Sequence, residues 1–462
     1  MSSRYLLTRW EPENAAFWRA TGESVARRNL WISIPALALA FAVWSLWSVV
    51  VVSLDKAGFH FTKDQLFWLT ALPAVSGATL RIFYSFLVPI FGGRRFTAFS
   101  TASLLIPAIG MGIALRDPST SYPTLLLLAL LCGFGGANFS SSMANISFFF
   151  PKAKKGFATG MNAGIGNLGV SIVQFVTPLV ISASVFGALA GESRTYTVQG
   201  VEHGIWLQNA GFVWVPFIVI SALAAWFGMN DIADAKASFA EQAVIFRRKH
   251  NWLMCLLYIG TFGSFIGFSA GLALLTKAEF PSVNPTAYAF LGPLAGALTR
   301  PVGGWISDRL GGARVTFWTF IAMIAAVFGV MAFLPHGGSD GSFAGFLAMF
   351  IALFALTGIG NGSTFRMIPV IFLTQKQREA EGQADDAKRQ ALHEAGKESA
   401  AVLGFAGAIG AYGGFFIPRS FGTSMSITGS PDAALLCFIA FYAICAAVTW
   451  FCYARRNADM PC

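Results

Sequence analysis

The chain has 462 residues, of which 55% are hydrophobic and only 12% charged, with 48 Gly and 45 Phe. This is far more apolar and glycine-rich than a soluble domain, so a water-soluble globular protein is excluded and the bulk of the chain is expected to be helical and embedded in a membrane. The net charge of +10 needs no nucleic-acid partner, because most of it is explained by where the basic residues fall between apolar stretches.

Met1 to Asn29 is polar and lacks the apolar core of a cleavable leader, so the first span is expected to serve as the targeting signal. Apolar stretches near or above spanning length then follow over 31–54, 65–91, 96–115, 122–150, 156–189, 205–228, 251–276, 285–306, 313–335, 343–373, 399–424 and 431–454. These stretches predict an all-α integral membrane protein with twelve transmembrane helices. Of the 32 Lys and Arg, five (Lys56, Lys63, Arg116, Arg194 and Lys277) fall in the odd-numbered connections. Apart from Arg81, Arg300, Arg366 and Arg419, the others lie in the tails and even-numbered connections, which places both termini in the cytoplasm. Cys132, Cys255, Cys437, Cys445, Cys452 and Cys462 show no metal spacing and are expected to fill the core as free thiols.

The two halves repeat each other. Gly77-Ala-Thr-Leu-Arg81 followed by Pro89-Ile-Phe-Gly92-Gly93-Arg-Arg95 returns as Gly296-Ala-Leu-Thr-Arg300 followed by Asp308-Arg-Leu-Gly311-Gly312-Ala-Arg314. Arg27-Arg28, Trp31 and Phe41 correspond to Arg247-Arg248, Trp252 and Phe262. Gly133 and Gly135 correspond to Gly358 and Gly360, and Gly166-x-x-Gly169 to Gly410-x-x-Gly413. The expected organisation is a cytoplasmic tail 1–30, a six-helix bundle 31–230, a connector 231–250, a second bundle 251–455 and a tail 456–462. Within the second bundle, 374–398 reads as a solvated cytoplasmic loop with room for a short helix. Parallel repeats of this kind imply two pseudo-symmetric bundles with a site at their interface.

Arg81 and Arg300 each precede a Gly-Gly turn by about 16 Å of helix, roughly half of a hydrocarbon layer about 30 Å thick. An arginine at that depth costs on the order of 2.5–3.5 kcal/mol on insertion scales and marks a substrate or ion pathway. A carboxylate partner fails on inventory, since no Asp or Glu lies in the interior of any span, and two such arginines point to an anion. Arg366 is expected to snorkel, to bond backbone carbonyls or to add positive potential to the pathway, and Arg419 to anchor at an interface or attract anions.

Asp308-Arg309-Leu-Gly311-Gly312-Ala-Arg314 resembles the cytoplasmic loop motif of the major facilitator superfamily, in which the Asp and basic residues latch neighbouring helices. The first repeat has Pro89 in place of that Asp, so its latch is expected to be weak or absent. Gly164-Ile-Gly166-Asn167-Leu-Gly169 and Gly407-Ala-Ile-Gly410-Ala-Tyr-Gly413 look like the two nitrate-signature segments of the nitrate/nitrite porters of the NarK and NarU type. Asn145-Ile-Ser-Phe-Phe-Phe-Pro151 and Thr261-Phe-Gly-Ser-Phe-Ile-Gly-Phe268 carry the same resemblance, which covers nearly the whole chain.

The resemblance implies a major facilitator fold, with nitrate and nitrite bound by Arg81 and Arg300. Phe139 and Phe365, with Phe41 and Phe262 nearby, would be the aromatic walls, and Asn167 and Tyr258 the polar contacts. Gly164, Gly166 and Gly410 would supply backbone at the anion, and Asp308, Arg309 and Arg314 the latch. It implies no cofactor, no metal and no enzymatic activity, a monomer in the bilayer of a bacterial cytoplasmic (inner) membrane, and a role in nitrate assimilation. The guanidinium forks suit a small planar oxyanion. With all five histidines (His60, His203, His250, His336 and His393) in loops or tails, no proton relay is evident within the spans, which favours exchange of nitrate for nitrite. Proton symport and an anion channel remain as alternatives.

Overall fold

The computed structural model describes residues 5–187, 191–198, 200–233, 244–336, 339–383 and 385–462. Part of the expected connector (234–243) and the side chains of Pro89 and His393 lie outside the described residues.

The principal helices are α1 (Glu23–Trp44), α2 (Lys63–Phe91), α3 (Gly93–Ala102), α4 (Leu105–Ala114), α5 (Tyr122–Phe149), α6 (Lys152–Ile181) and α7 (Val215–Gly228). They continue as α8 (Lys249–Tyr258), α9 (Ser264–Glu279), α10 (Leu291–Leu310), α11 (Gly312–Phe333), α12 (Phe343–Glu379), α13 (Asp385–Ala411), α14 (Gly413–Thr428) and α15 (Asp432–Thr449). Among the described residues, ten helices are long and apolar enough to cross a membrane. The number rises to eleven if Ala15–Trp44 and Trp47–Ser53, bent by 41° at their break, are one span. The eighth apolar stretch is also helical, as α10, but Arg300, Asp308 and Arg309 make it polar for a spanning helix. Large apolar side chains such as Phe157, Trp318 and Ile427 stay exposed, as they do on a surface solvated by lipid tails.

The chain divides into two units. The first comprises Met1–Lys236, Gly267–Leu294 and Gly414–Ile427, and the second Ala237–Ile266, Ala295–Gly413 and Thr428–Cys462. In the first, α1 packs on α5 and α6, and α2 on α5. Packing is tight because glycine removes the side chain at the crossings. A Cβ on Gly135 would lie 2.1 Å from the Ala40 carbonyl, and one on Gly169 would lie 2.0 Å from that of Ala38. In the second, α11 packs on α12 and α15, and α12 on α13.

Both repeats break a helix at the Gly-Gly turn. Gly92 (φ +87°) and Gly311 (φ +88°) occupy backbone space that other residues rarely enter, so the chain can stop one helix and start the next at once. Helix α2 starts at a reciprocal cap, with the Thr62 side chain accepting from the Gln65 N–H and the Gln65 side chain accepting from the Thr62 N–H.

Two features differ from the all-helical expectation. Arg194–Val198 and Val201–Ile205 pair as an antiparallel hairpin, and Leu6–Leu7 pairs in parallel with Asp231–Ile232. The loop expected at 374–398 is largely helix, because α12 runs on to Glu379 and α13 begins at Asp385. Charge pairs support this extension: Lys376 contacts Glu379 one turn on within α12 and reaches Glu394 and Glu398 of α13, and Arg248 contacts Glu379 and Glu398. Cys132, Cys255 and Cys445 are buried free thiols, whereas Cys437 is exposed.

Candidate functional site

In the first unit the fold builds an aromatic box around a fully buried arginine. Arg81, on α2, has 0% exposure, and its Nε donates to the Gly136 carbonyl of α5 at 2.6 Å. Its guanidinium carbon lies 4.8 Å from the Phe139 ring centre, 4.9 Å from that of Trp44 and 6.0 Å from that of Phe41. Each such contact stabilises a desolvated cation by about 0.5–2 kcal/mol. Trp44 did not stand out in the sequence; its signal was its position three residues after Phe41, on the same helix face. Its indole N–H donates to the Pro73 carbonyl at 2.8 Å. The indole fits because a Cβ on Gly77 or Gly136 would lie 2.8 or 2.6 Å from it. The small residues beside Arg81 thus position the ring that covers it.

Asn167, Gly164 and Gly166 lie on α6 of the same unit. Asn167 is buried, with its Oδ1 lacking a hydrogen-bond partner among the described residues. Gly166 packs: a Cβ there would lie 2.7 Å from Leu37. At Gly164 a Cβ would meet nothing within 4 Å, so packing does not account for this glycine.

The second unit holds the other arginine. Arg300, 7% exposed on α10, donates from Nη2 to the Tyr258 hydroxyl at 3.5 Å and lies 5.3 Å from the Phe365 ring centre. Tyr258 stacks on Phe262 at 5.3 Å and 21°. Phe262 sits in a π-helical turn, Ile259–Gly263, between α8 and α9, and turns of this kind recur where a helix is reshaped around a site. Gly410 makes room for the Tyr258 ring, since a Cβ there would lie 2.8 Å from it. The Nη1 group of Arg300 is buried with no hydrogen-bond partner among the described residues. A buried N–H left without an acceptor costs about 1–3 kcal/mol, more when charged, so this edge is suited to receiving an anionic oxygen.

The expected latch is rearranged. Asp308 does pair with a basic residue, but it is Arg366 of α12; Arg309 instead lies over the Trp305 ring at 4.0 Å. Arg314 borders an apolar cleft of about 420 Å³ beside Trp318 and Leu310. Arg366, expected to snorkel, bond carbonyls or add potential to the pathway, is an ion-pair partner of the exposed Asp308. The first repeat has a latch after all, because Asp231, at the end of the segment after α7, supplies the carboxylate. Its Oδ1 accepts from the Arg94 backbone N–H at 2.9 Å and its Oδ2 from Arg94 Nε at 3.3 Å.

Arg419, expected to anchor at an interface or attract anions, is paired in the first unit, and a second ion pair lies there as well. Arg419 Nη1 donates to Asp64 at 2.7 Å while its guanidinium lies 4.2 Å from the Trp68 ring centre. Lys277 Nζ contacts Asp55 at 2.8 Å and the Val52 carbonyl at 2.8 Å. Gln174 Nε2 donates to Ser48 Oγ at 2.9 Å and to the Ser269 carbonyl at 2.8 Å.

Long apolar helices that bury a guanidinium against aromatic rings in each repeat define a polytopic membrane protein with a polar interior. A family model described as Major Facilitator Superfamily matches residues 32–384. Nitrate/nitrite transporter NarU of Escherichia coli is 54% identical over 99% of this chain and 98% of its own. NarU of Salmonella typhimurium is 53% identical over 98% and 97%. The probable nitrate/nitrite antiporter NarK2 of Thermus thermophilus is 42% identical over 99% and 98%. A solved structure of a bacterial homologue of the human lysosomal transporter Spinster superposes with a TM-score of 0.59 at 14% identity, covering 93% of this chain and 96% of that one. The chain belongs to the major facilitator superfamily and, within it, to the NarK/NarU-type nitrate/nitrite transporter family. It has the major facilitator fold, and its family is one of transporters rather than enzymes.

Proposed function

We propose that this protein exchanges nitrate for nitrite across the bacterial cytoplasmic membrane by alternating access, with both termini in the cytoplasm and the monomer as the working unit. Its two bundles are taken as 31–230 and 251–455. One arginine from each repeat, Arg81 and Arg300, donates to the anion. Phe139 and Phe365, with Phe41 and Phe262, provide flat apolar walls, and Asn167 and Tyr258 provide further polar contacts. Gly164, Gly166 and Gly410 keep backbone free of side chains near the path.

The observation that carries this reading is the buried Nη1 of Arg300, which lacks an acceptor among the described residues and so favours a ligand with acceptor oxygens. A planar oxyanion matches the planar fork, and apolar rings disfavour anions whose hydration is stronger. Exchange follows from charge. Closing low-dielectric walls around two cations costs several kcal/mol, and a bound anion offsets it, so the loaded carrier reorients and the empty one does not. The similarity to NarU and NarK2 relatives supports the substrate pair.

The test is Arg81→Lys and Arg300→Lys, which keep the charge but lose the fork. Each is expected to weaken nitrate binding to the purified protein at least tenfold, about 1.4 kcal/mol, in protein that still unfolds cooperatively. Unaltered affinity in both would exclude these arginines as ligands.

A further inference from the structure

Arg419 repeats, at another place in the first unit, the chemistry of the buried arginines. Its guanidinium lies over Trp68, whose ring packs 5.8 Å from that of Phe415. Nη1 donates to the Asp64 carboxylate at 2.7 Å and Nη2 lies 3.4 Å from the Thr423 hydroxyl. Nitrite and nitrate share with a carboxylate the planar O–X–O edge that a guanidinium recognises. Asp64 therefore fills on Arg419 the position that a small planar oxyanion would take.

The basic half of this pair is largely covered by its surroundings, while the acid stays partly open. The Arg419 side chain is 18% exposed and that of Asp64 39%. Helix α14 approaches α2 so closely that a Cβ on Gly422 would lie 2.9 Å from Phe67. A second pair, Lys277–Asp55, repeats the polarity: the acid comes from the first repeat and the base from the second. Parting α14 from α2 must break Arg419–Asp64, and Phe415, four residues before Arg419 on α14, stays on the same face of its helix.

We propose that Arg419 is an entrance site for a small planar oxyanion, occupied by the Asp64 carboxylate while the surrounding helices are closed and by the incoming anion when they part. Asp64 acts as a tethered competitor: it holds the closure shut in the absence of external anion and yields to it. This rests on the anion-exchange reading above, with the Asp64 end of α2 on the outer side.

The test uses the full chain in liposomes, measuring external nitrate KM for exchange, together with hydrogen–deuterium exchange of peptides covering the start of α2 and the middle of α14. Asp64→Asn removes the competitor and leaves Arg419. It is expected to lower external KM about fivefold, the scale that a partly exposed ion pair supports, and to speed amide exchange in both peptides. Arg419→Gln also loosens the peptides but removes the site, so KM does not fall. An equal fall in KM for both variants would show that the pair is a gate without an anion site. Unchanged amide exchange in both would overturn the closure itself. A separate arm adds nitrate to Asp64→Asn carrying Arg81→Lys and Arg300→Lys. Protection of the α14 peptide there is expected even if the central reading fails, and its absence would overturn the entrance site alone.

Discussion

Asp231 closes the N-terminus of α3 through Arg94, accepting from its backbone N–H at 2.9 Å and from its Nε at 3.3 Å. The carboxylate thus meets a helix N-terminal dipole and a guanidinium together, with Arg95 Nε at 3.8 Å adding a second cation. Arg94 also lies over Trp226 at 4.8 Å, and its Nη1 donates to the Trp226 carbonyl at 2.6 Å, so one side chain ties α3 to α7. The side chains of Arg94 and Asp231 are 7% and 11% exposed, so little solvent screening applies. Asp231→Ala is expected to destabilise the protein by about 3 kcal/mol, the scale for removing one partner of a buried pair. Asp231→Asn should recover part of this by keeping the cap. Thermal unfolding in detergent measures both.

The pair near the second Gly-Gly turn, Asp308–Arg366, behaves differently because it is open to solvent, at 58% and 44% exposure. Asp308→Ala is expected to cost less than about 1 kcal/mol. The same unfolding measurement, run beside Asp231→Ala, tests whether burial sets the difference.

Glycines of the α6 signature separate into packing and open positions. Gly169→Ala places a Cβ about 2.0 Å from a backbone oxygen of α1 and is expected to abolish folded protein. Gly164→Ala meets open space and is expected to leave the melting temperature within about 1 °C, since an added methyl there strains nothing. Expression and melting curves decide this, and a transport defect in a well-folded Gly164→Ala protein would report on the anion path.

Tyr258 contributes to Arg300 through a long hydrogen bond of 3.5 Å and to Phe262 through ring stacking. Tyr258→Phe removes the hydroxyl and keeps the ring, and is expected to weaken nitrate affinity by threefold or so, about 0.7 kcal/mol. Tyr258→Ala also removes the ring that Gly410 accommodates, leaves a cavity and is expected to destabilise by about 3–5 kcal/mol. Isothermal titration and unfolding together separate the two.

The Lys249 ammonium, bonded to Asp459 at 3.1 Å, holds that carboxyl below its usual range. A depressed folded value means the contact stabilises the docked tail above the unfolded pKa, about 3.9, and is lost as pH falls through the folded value. Protease nicking of the tail after Arg455 or Arg456 is therefore expected to be unchanged from pH 5 to 8 and to rise only below about pH 4.

Legibility of the sequence followed the range of the interaction. Apolar runs reported the spans, and positive φ at Gly92 and Gly311 was readable as a helix break because the Gly-Gly pairs recur beside the arginines. Arg81 and Arg300 stood out because a charge in an apolar run is conspicuous. The partner of a charge was not legible. Asp231 lies 137 residues from Arg94, Asp308 lies 58 from Arg366 and Asp64 lies 355 from Arg419, and no local pattern links such pairs. The helical extension of 374–398 was hidden for the same reason, as Lys376 and Glu398 meet 22 residues apart in sequence and are largely buried together. Trp44 was obscured by abundance, one of 13 Trp and 45 Phe in a chain where aromatic residues usually only pack.

The central claim is obligatory exchange at the two arginines. Its most direct test is nitrate uptake into proteoliposomes loaded with nitrite or left empty, each with and without an inward proton gradient. The account predicts uptake only with nitrite inside, indifferent to the gradient and lost in Arg81→Lys and Arg300→Lys. Uptake into empty vesicles driven by the proton gradient would contradict it.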